Sequence, residues 1–251
     1  MIIRRIRPDE NGKVFAVRSL GYGFKIDVAK EETILLEHEA IGAFEDDNET
    51  LMAMAYIHEY VVNYCGREVP CLGIGEVATR PQHRRCGAVR KIMEEIFKLT
   101  AERKWVVSFL YPFSYDYYRK FGYERLVKRM KMKVGSASLS CCERDFNAKL
   151  YGYKDKSLLK DVLYVYNTYA KEHSSMFIRD ETTEAYSLDP FNSGKHTYVH
   201  YSLEGKPDAT AVIRIYDEDR VEVDILDMAI FERILKINLF GLVYCCKYAI
   251  P

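Results

Sequence analysis

The sequence lacks a net charge, because 37 lysines and arginines balance 37 aspartates and glutamates among its 251 residues. A chain without net charge creates no long-range field that attracts nucleic acid or an anionic membrane surface. It also lacks a long apolar run: the longest candidate, residues 238–246, is far shorter than the roughly 20 residues of a membrane-spanning helix. The segment Met1–Pro8 has no apolar core of signal-peptide length. We therefore expect neither a nucleic-acid nor a membrane partner.

The cysteines are poorly arranged for disulfides. The seven cysteines are an odd number, and four of them form the adjacent pairs Cys141–Cys142 and Cys245–Cys246. Disulfide frameworks instead use an even number of spaced cysteines in oxidising compartments. The sequence therefore predicts reduced thiols and a cytoplasmic location. His196 and His200 share one face of a predicted strand without an obvious third ligand, so we expect no metal site.

The pattern of apolar residues and turn signals predicts a mixed α/β (α+β) fold. The first predicted elements are a strand within 1–10, helices at 13–20 and 29–38 with a loop at 21–24 between them, and a hairpin of strands 50–63 and 68–79. They are followed by a helix at 85–103, a strand at 105–110, a short helix from Ser114 to Lys120 that Gly122 ends, and a strand at 125–134. Residues 135–140 are small and polar and mark a boundary. Beyond them we expect a helix at 158–173, strands at 197–203, 209–216 and 220–226, and a helix at 229–242.

The most informative stretch joins the second hairpin strand to the helix predicted at 85–103. It reads Arg84-Arg85-Cys86-Gly87-Ala88-Val89 and is followed by apolar residues at the spacing of one buried helical face. The start of a helix presents unpaired N–H groups and partial positive charge, and Arg84, Arg85 and Arg90 add full charges. Gly87 has no Cβ and allows the backbone to close around a pyrophosphate. This pattern predicts a phosphate site, although a solvated basic helix start would have the same composition.

Two motifs together resemble the GNAT acetyltransferases and, within them, the enhanced-intracellular-survival (Eis) branch. The first runs from Gly73 to Gly87, and the second reads Leu110-Tyr-Pro-Phe-Ser-Tyr-Asp-Tyr-Tyr-Arg-Lys-Phe-Gly-Tyr-Glu. In that family two tandem GNAT domains precede a sterol-carrier-like domain, to which the resemblance does not extend. It implies a tandem GNAT fold with a mixed, mostly antiparallel sheet flanked by helices. The implied domains are 1–135 and a shortened second domain at 146–251, and the implied assembly is a homo-oligomer.

The resemblance also implies roles for individual residues, with acetyl-CoA as cosubstrate. Val77, Ala78 and Thr79 lie where the family's splayed strand offers backbone groups to the pantetheine arm. The CoA phosphates would be wrapped by Arg84, Arg85, Cys86, Gly87, Ala88, Val89 and Arg90, although Val89 departs from the family's Gly or Ala. Phe113 and Ser114 line the other side of the cofactor slot. Tyr118 falls on the family's general acid.

Acetyl transfer to an amine requires that the amine lose a proton and that the departing thiolate gain one. A lysine-like amine has a pKa near ~10.4 and is mostly protonated at neutral pH, whereas a tyrosine hydroxyl carries its proton there. Tyr118 can therefore act as the acid, and backbone amides can polarise the thioester carbonyl. The family uses its terminal carboxylate as base. Glu76 is the nearest acidic candidate here, unless it is only a salt-bridged strand carboxylate. A covalent route through Cys86 ranks below direct transfer.

Two functions remain open from the sequence. The first is an acetyl-CoA-dependent N-acetyltransferase acting on a primary amine of a small molecule or peptide, such as an aminoglycoside, a polyamine or a lysine. The alternative is a non-catalytic acyl-CoA-binding or assembly module that has lost the terminal-carboxylate base. The sequence carries no readable code for the acceptor.

Overall fold

The computed structural model describes residues 1–23, 39–126, 132–135, 148–151, 159–181, 196–203, 206–217 and 220–224. Its contacts divide the chain into two compact units. The first unit contains Met1–Val62 and Glu68–Leu126, and the second contains Asn63–Arg67 and Val127–Pro251. The domain limits expected from the sequence, 1–135 and 146–251, stay a prediction.

The strands are β1 (Ile2–Arg5), β2 (Glu39–Phe44), β3 (Leu51–Tyr64), β4 (Arg67–Thr79), β5 (Val107–Leu110), β6 (Met132–Gly135), β7 (Ala148–Tyr151), β8 (Met176–Ile178), β9 (His196–Leu203), β10 (Lys206–Asp217) and β11 (Arg220–Asp224). The α-helices are α1 (Asn11–Tyr22), α2 (Ala88–Glu102), α3 (Tyr115–Arg119) and α4 (Leu159–Glu172). Single 3-10 turns cover Pro8–Glu10 and Pro81–His83. The mixed α/β class is confirmed.

A six-stranded sheet has the order β1-β2-β3-β4-β5, with β8 paired to β3. Its β1–β2 and β2–β3 pairs are antiparallel, whereas β4 and β5 are parallel. The predicted hairpin is confirmed as β3 and β4. Its two turn residues, Cys65 and Gly66, have φ angles of 53° and 80°, which is the backbone of the type I′ turns that favour tight hairpins.

The core of the first unit lies on both faces of the sheet. One buried cluster joins α2 to the strands through Ile92, Met93 and Ile96, which are fully buried. This confirms the amphipathic helix expected after the basic turn. The other cluster joins α1 to the opposite face through Val14, Phe15 and Val17. Adjacent residues of β3 alternate between the two clusters, as the period of two in a strand requires.

Helix boundaries differ from the sequence expectation at both helices that flank β4. The loop predicted at 21–24 is wrong for Gly21 and Tyr22, because α1 continues until Gly23 takes a left-handed φ of 74° as its C-cap. The central helix was expected from Arg85 but begins at Ala88. The φ angles of Arg85 and Gly87 are 65° and 84°, and such angles cannot continue a right-handed helix.

The second unit contains a five-stranded sheet in the order β6-β11-β10-β9-β7, with every pair antiparallel. Helix α4 buries Val162, Val165 and Tyr166. The helix expected at 158–173 and the three strands expected after it are confirmed over their described residues. The strand predicted at 125–134 is wrong at Arg125 and Leu126, which have no regular structure. The helices predicted at 29–38 and 229–242 lie outside the described residues.

Candidate functional site

The pairing of β4 with β5 stops before β4 ends. Their parallel register runs from Cys71 opposite Val107 to Ile74 opposite Leu110. Strand β5 ends there, whereas β4 continues to Thr79. Residues Gly75–Thr79 therefore extend beyond β5, and we call them the open edge of β4. Backbone groups along such an edge can pair with an extended ligand.

A β-bulge lies at the start of the open edge. Ile74 and Val77 both pack against the α2 cluster, whereas Ala78 belongs to the α1 cluster. In a regular strand, residues 74 and 78 would share a face and residue 77 would point away from it. One extra residue is therefore inserted between Ile74 and Val77. Within this bulge, the backbone of Glu76 has a left-handed φ of 48°.

The basic turn follows the open edge after the 3-10 turn Pro81–His83. Gly87 is the N-cap of α2, its φ is 84°, and no side chain caps the helix there. An added Cβ at Gly87 would meet no atom within 4 Å, so the backbone faces open space. Left-handed residues close to one another in a turn direct N–H groups into a shared concavity that suits anions, and the start of α2 adds the positive end of its dipole.

The predicted phosphate ligands differ in exposure around this turn. The exposed members are Arg84, Arg85, Cys86, Gly87 and Arg90, whereas Val89 is half-buried. Ala88 is only 2% exposed and packs into the core, so it can offer a ligand only its backbone N–H. The Cys86 Sγ–H lies 2.8 Å from the His83 carbonyl oxygen, to which it donates.

Tyr118 lies on α3, which begins where the sequence predicts. Ser114 caps the helix, since its hydroxyl accepts a hydrogen bond from the Tyr117 N–H at 3.3 Å. Tyr118 is 4% exposed, and its ring packs edge-on against Phe113 and Tyr123, with centroids 5.6 and 6.3 Å away. Burial is the main cause that raises the pKa of Tyr118 to about 12. Its hydroxyl therefore keeps its proton across the physiological range.

Glu76 is paired with Arg18 of α1, whose side chain is almost fully buried, while that of Glu76 is partly exposed. One helical turn later, the Tyr22 hydroxyl lies 3.4 Å from the Val77 carbonyl oxygen, to which it donates. Burial, and then the charge of Glu76, raise the pKa of Tyr22. Sequence reasoning missed Arg18 and Tyr22. Their spacing of four, which places two side chains on one helix face, could have found them had α1 been extended.

Within the described part of the chain, no group of three or more His, Cys, Asp or Glu side chains is arranged to hold a metal ion. Among the same residues, no helix combines the length and the hydropathy needed to cross a membrane.

Residues 2–126 match the protein family described as an acetyltransferase (GNAT) domain, whereas none of the curated proteins matches the chain. Three similar solved structures are described as a probable N-acyltransferase from Enterococcus faecalis V583, a GCN5-related N-acetyltransferase from Kribbella flavida and Eis1 from Mycobacterium abscessus. Their TM-scores are 0.78, 0.68 and 0.71, and their sequence identities are 23%, 22% and 16%.

These structures cover 98%, 96% and 99% of this chain, which in turn covers 62%, 61% and 63% of theirs. The chain thus spans about three fifths of the length of each. At this identity the likeness shows the fold alone, and it confirms the GNAT-like architecture. Membership of the Eis branch stays a prediction, because the Eis1 structure, at 16% identity, is too distant to show it. Over residues 2–126, just under half of its length, the chain matches the acetyltransferase (GNAT) domain family.

Proposed function

We propose that the protein is an N-acetyltransferase that transfers the acetyl group of acetyl-CoA directly to a primary amine. The observation that carries the proposal is the open edge of β4, which extends beyond β5 and leads, through one 3-10 turn, into the turn with left-handed Arg85 and Gly87. An extended arm that bears amides fits beside such an edge. A diphosphate at the end of that arm fits the N–H groups of the turn.

The residues expected from the sequence fit these two places. Val77, Ala78 and Thr79 are on the open edge and would contact the pantetheine arm through their backbone. Arg84, Arg85 and Arg90 are exposed around the turn and would contact the phosphates, while Cys86, Gly87, Ala88 and Val89 would supply backbone groups around them. Phe113 is 75% exposed next to Tyr118 and would form the other wall with Ser114.

In the proposed reaction, the neutral amine attacks the thioester carbonyl, an N–C bond forms and the C–S bond breaks. Tyr118 donates its hydroxyl proton to the sulfur as the thiolate leaves, and the tyrosinate then regains a proton from solvent, to which Glu76 releases the proton of the amine. Because a free thiol has a pKa near ~8.5 and that of Tyr118 is raised to about 12, the equilibrium favours the thiolate hydrogen-bonded to protonated Tyr118 over the thiol beside a tyrosinate. The amine proton passes to Glu76, and the ion pair with Arg18 lowers the basicity of that carboxylate.

The same ion pair favours a second candidate, a non-catalytic acyl-CoA-binding module. A carboxylate held by a buried guanidinium is a weak proton acceptor, because the opposite charge stabilises its ionised form. Such a module would bind CoA at the same place without releasing thiol in the presence of amines.

Calorimetric titration with CoA tests the shared part of both proposals. Gly87→Glu places a bulky acidic side chain at the turn, and we expect CoA affinity to fall by more than about ten-fold. Gly66→Glu is a matched control, since Gly66 has a φ of 80° and the same open surroundings but lies in the hairpin. Absence of CoA binding by the wild-type protein, or equal affinity in both variants, would contradict the proposal.

Thiol release from acetyl-CoA separates the enzyme from the module. The acceptor panel contains an aminoglycoside, a polyamine and a lysine peptide, because each presents a primary amine. Amine-dependent release supports the transferase, whereas CoA binding without release from any of the three supports the module.

A further inference from the structure

The last turn and a half of α1 lies against the bulge of β4 at Glu76. It also lies close to the residues that follow the bulge, Val77–Thr79. Arg18 pairs with the carboxylate of Glu76. Gly21 approaches the strand so closely that an added Cβ would lie 3.1 Å from the Cβ of Ala78 and 3.6 Å from the backbone N of Thr79. The Tyr22 hydroxyl reaches the Val77 carbonyl oxygen at 3.4 Å. Helix α1 is therefore placed to set the position of the open edge.

The backbone of Glu76 is strained in a way that needs external support. Six non-glycine residues in the described ranges have positive φ, and Glu76 is the one that lies inside a strand rather than in a turn or bend. A left-handed non-glycine residue is disfavoured by contact between its Cβ and the following carbonyl. Such conformations persist when surrounding contacts over-determine them, and they cluster at functional sites.

Arg18 supplies the support. It is 5% exposed, and its guanidinium carbon lies 5.8 Å from the ring centroid of Tyr56 on β3. A buried guanidinium needs an anionic partner, because its desolvation is otherwise uncompensated. The pair therefore ties the side chain of Glu76 to α1 and opposes any rotation of its backbone toward ordinary strand angles.

We propose that Arg18 is a positioning residue for the coenzyme: through its pair with Glu76 it holds the bulge of β4, and thereby directs the backbone of Val77–Thr79 toward the pantetheine arm. This inference rests on the proposed binding of CoA. It does not depend on whether Glu76 also accepts the amine proton, because its readout is CoA affinity and not turnover.

Binding of CoA to the full chain, measured by calorimetry, tests the inference. We expect Arg18→Met to weaken CoA binding about ten-fold, which corresponds to about 1.4 kcal/mol. Adding Glu76→Gly in the Arg18→Met background should restore the affinity to within about two-fold of wild type, because glycine adopts a positive φ without strain. Adding Glu76→Gln instead should not restore it, since glutamine removes the charge but keeps the Cβ.

The two double variants distinguish two explanations for a loss of CoA affinity in Arg18→Met: a displaced backbone of β4, and electrostatic repulsion of CoA by Glu76. An unpaired Glu76 carboxylate would repel the CoA phosphates, and in that case the Gln and Gly double variants would recover equally. Equal recovery overturns the positioning role, and so does wild-type affinity in Arg18→Met. If the wild-type protein itself does not bind CoA, the proposed function fails, and that outcome is distinct from either of these.

Two further comparisons guard against general destabilisation. Glu76→Ala and Glu76→Gly both remove the partner of Arg18, but the positive φ is unstrained only in the glycine variant. We expect CoA affinity about ten-fold weaker for alanine than for glycine, and equal affinity would overturn the inference even if Arg18→Met does not fold. Arg4→Met breaks another pair of the same unit, to the buried carboxylate of Glu10 at 2.8 Å. It should lower the melting temperature without changing CoA affinity.

Discussion

At the scale of single residues, the aromatic enclosure of Tyr118 sets its chemistry. The tyrosinate form is disfavoured first by burial and then by the negative charge that Tyr22, Tyr117 and Tyr123 carry when they are ionised, and the pKa of Tyr118 is raised to about 12. Each effect penalises negative charge on the ring oxygen. A group with this environment is a lasting hydrogen-bond donor and a poor base.

Replacement of Tyr118 by phenylalanine should lower kcat by about 100-fold, the usual contribution of a positioned acid, and leave CoA affinity nearly unchanged. Tyr117→Phe is the matched control, because Tyr117 neighbours Tyr118 on α3 and is only half-buried. We expect that control to keep most of its turnover. The measurement is steady-state thiol release together with calorimetry, and equal loss in the two variants would remove Tyr118 from the mechanism.

The raised pKa of Tyr118 also predicts the alkaline side of the pH profile. An acid loses its proton as pH rises through its pKa, so a tyrosine with the ordinary value of 10.0 would lose activity near pH 10, whereas a value of about 12 postpones that loss. Over pH 7–10, kcat should therefore rise as the amine acceptor loses its proton and should not fall again. A falling limb near pH 10 that disappears in Tyr118→Phe would contradict this assignment.

At the scale of elements, the asparagine Asn63 caps the C-terminal end of helix α4 in the second unit. The Asn63 side-chain amide donates to the carbonyl oxygens of Ala170 and Lys171, both at 2.9 Å, and to that of His173 at 3.1 Å. Its own carbonyl oxygen accepts from the Gly66 N–H at 3.0 Å. The last carbonyls of a helix have no partner within the helix, and Asn63, only 3% exposed, satisfies two of them in α4, those of Ala170 and Lys171.

Asn63→Asp should destabilise the protein by about 2 kcal/mol, because a buried carboxylate would then face three carbonyl oxygens without a donor. Glu172→Gln is the control, since it exchanges a carboxylate and an amide at the exposed C-terminal end of the same helix. Urea unfolding followed by circular dichroism gives both changes in free energy. A loss of less than about 0.5 kcal/mol, the ordinary range of surface substitutions, would show that other groups cap α4.

Sequence patterns predicted the elements whose signals are local. The spacing that includes Ile92, Met93 and Ile96 indicated the buried face of α2, and Ser114 indicated the start of α3. The bulge at Glu76 gave no such signal, because its φ depends on Arg18 and on packing against α1. The start of α2 was misplaced for a related reason, because nothing in the composition marked Arg85 as left-handed. The features that sequence patterns did not predict are those that depend on tertiary contacts.

At the scale of the whole molecule, the residues proposed to act together lie in one compact unit. Arg18, Glu76, Gly87 and Tyr118 all belong to Met1–Val62 and Glu68–Leu126, and the GNAT match covers 2–126. The chain spans about three fifths of the similar structures. The first unit therefore contains the residues of the proposed acetyl transfer, whereas the identity of the acceptor amine and the formation of a homo-oligomer stay predictions.

Thiol labelling across the chain, mapped by peptide mass spectrometry, tests where CoA binds. Cys86 lies exposed in the turn of the first unit, and Cys65 lies exposed in the hairpin end that belongs to the second unit. Saturating CoA should slow alkylation of Cys86 by more than about ten-fold while leaving Cys65 unchanged, because occupation of the turn excludes the reagent. Cys71 should resist with or without CoA, since it is fully buried and burial raises its pKa to about 12. Equal protection of Cys65 and Cys86 would indicate that CoA acts on the whole chain and not at the turn, and an unprotected Cys86 would move the phosphates elsewhere.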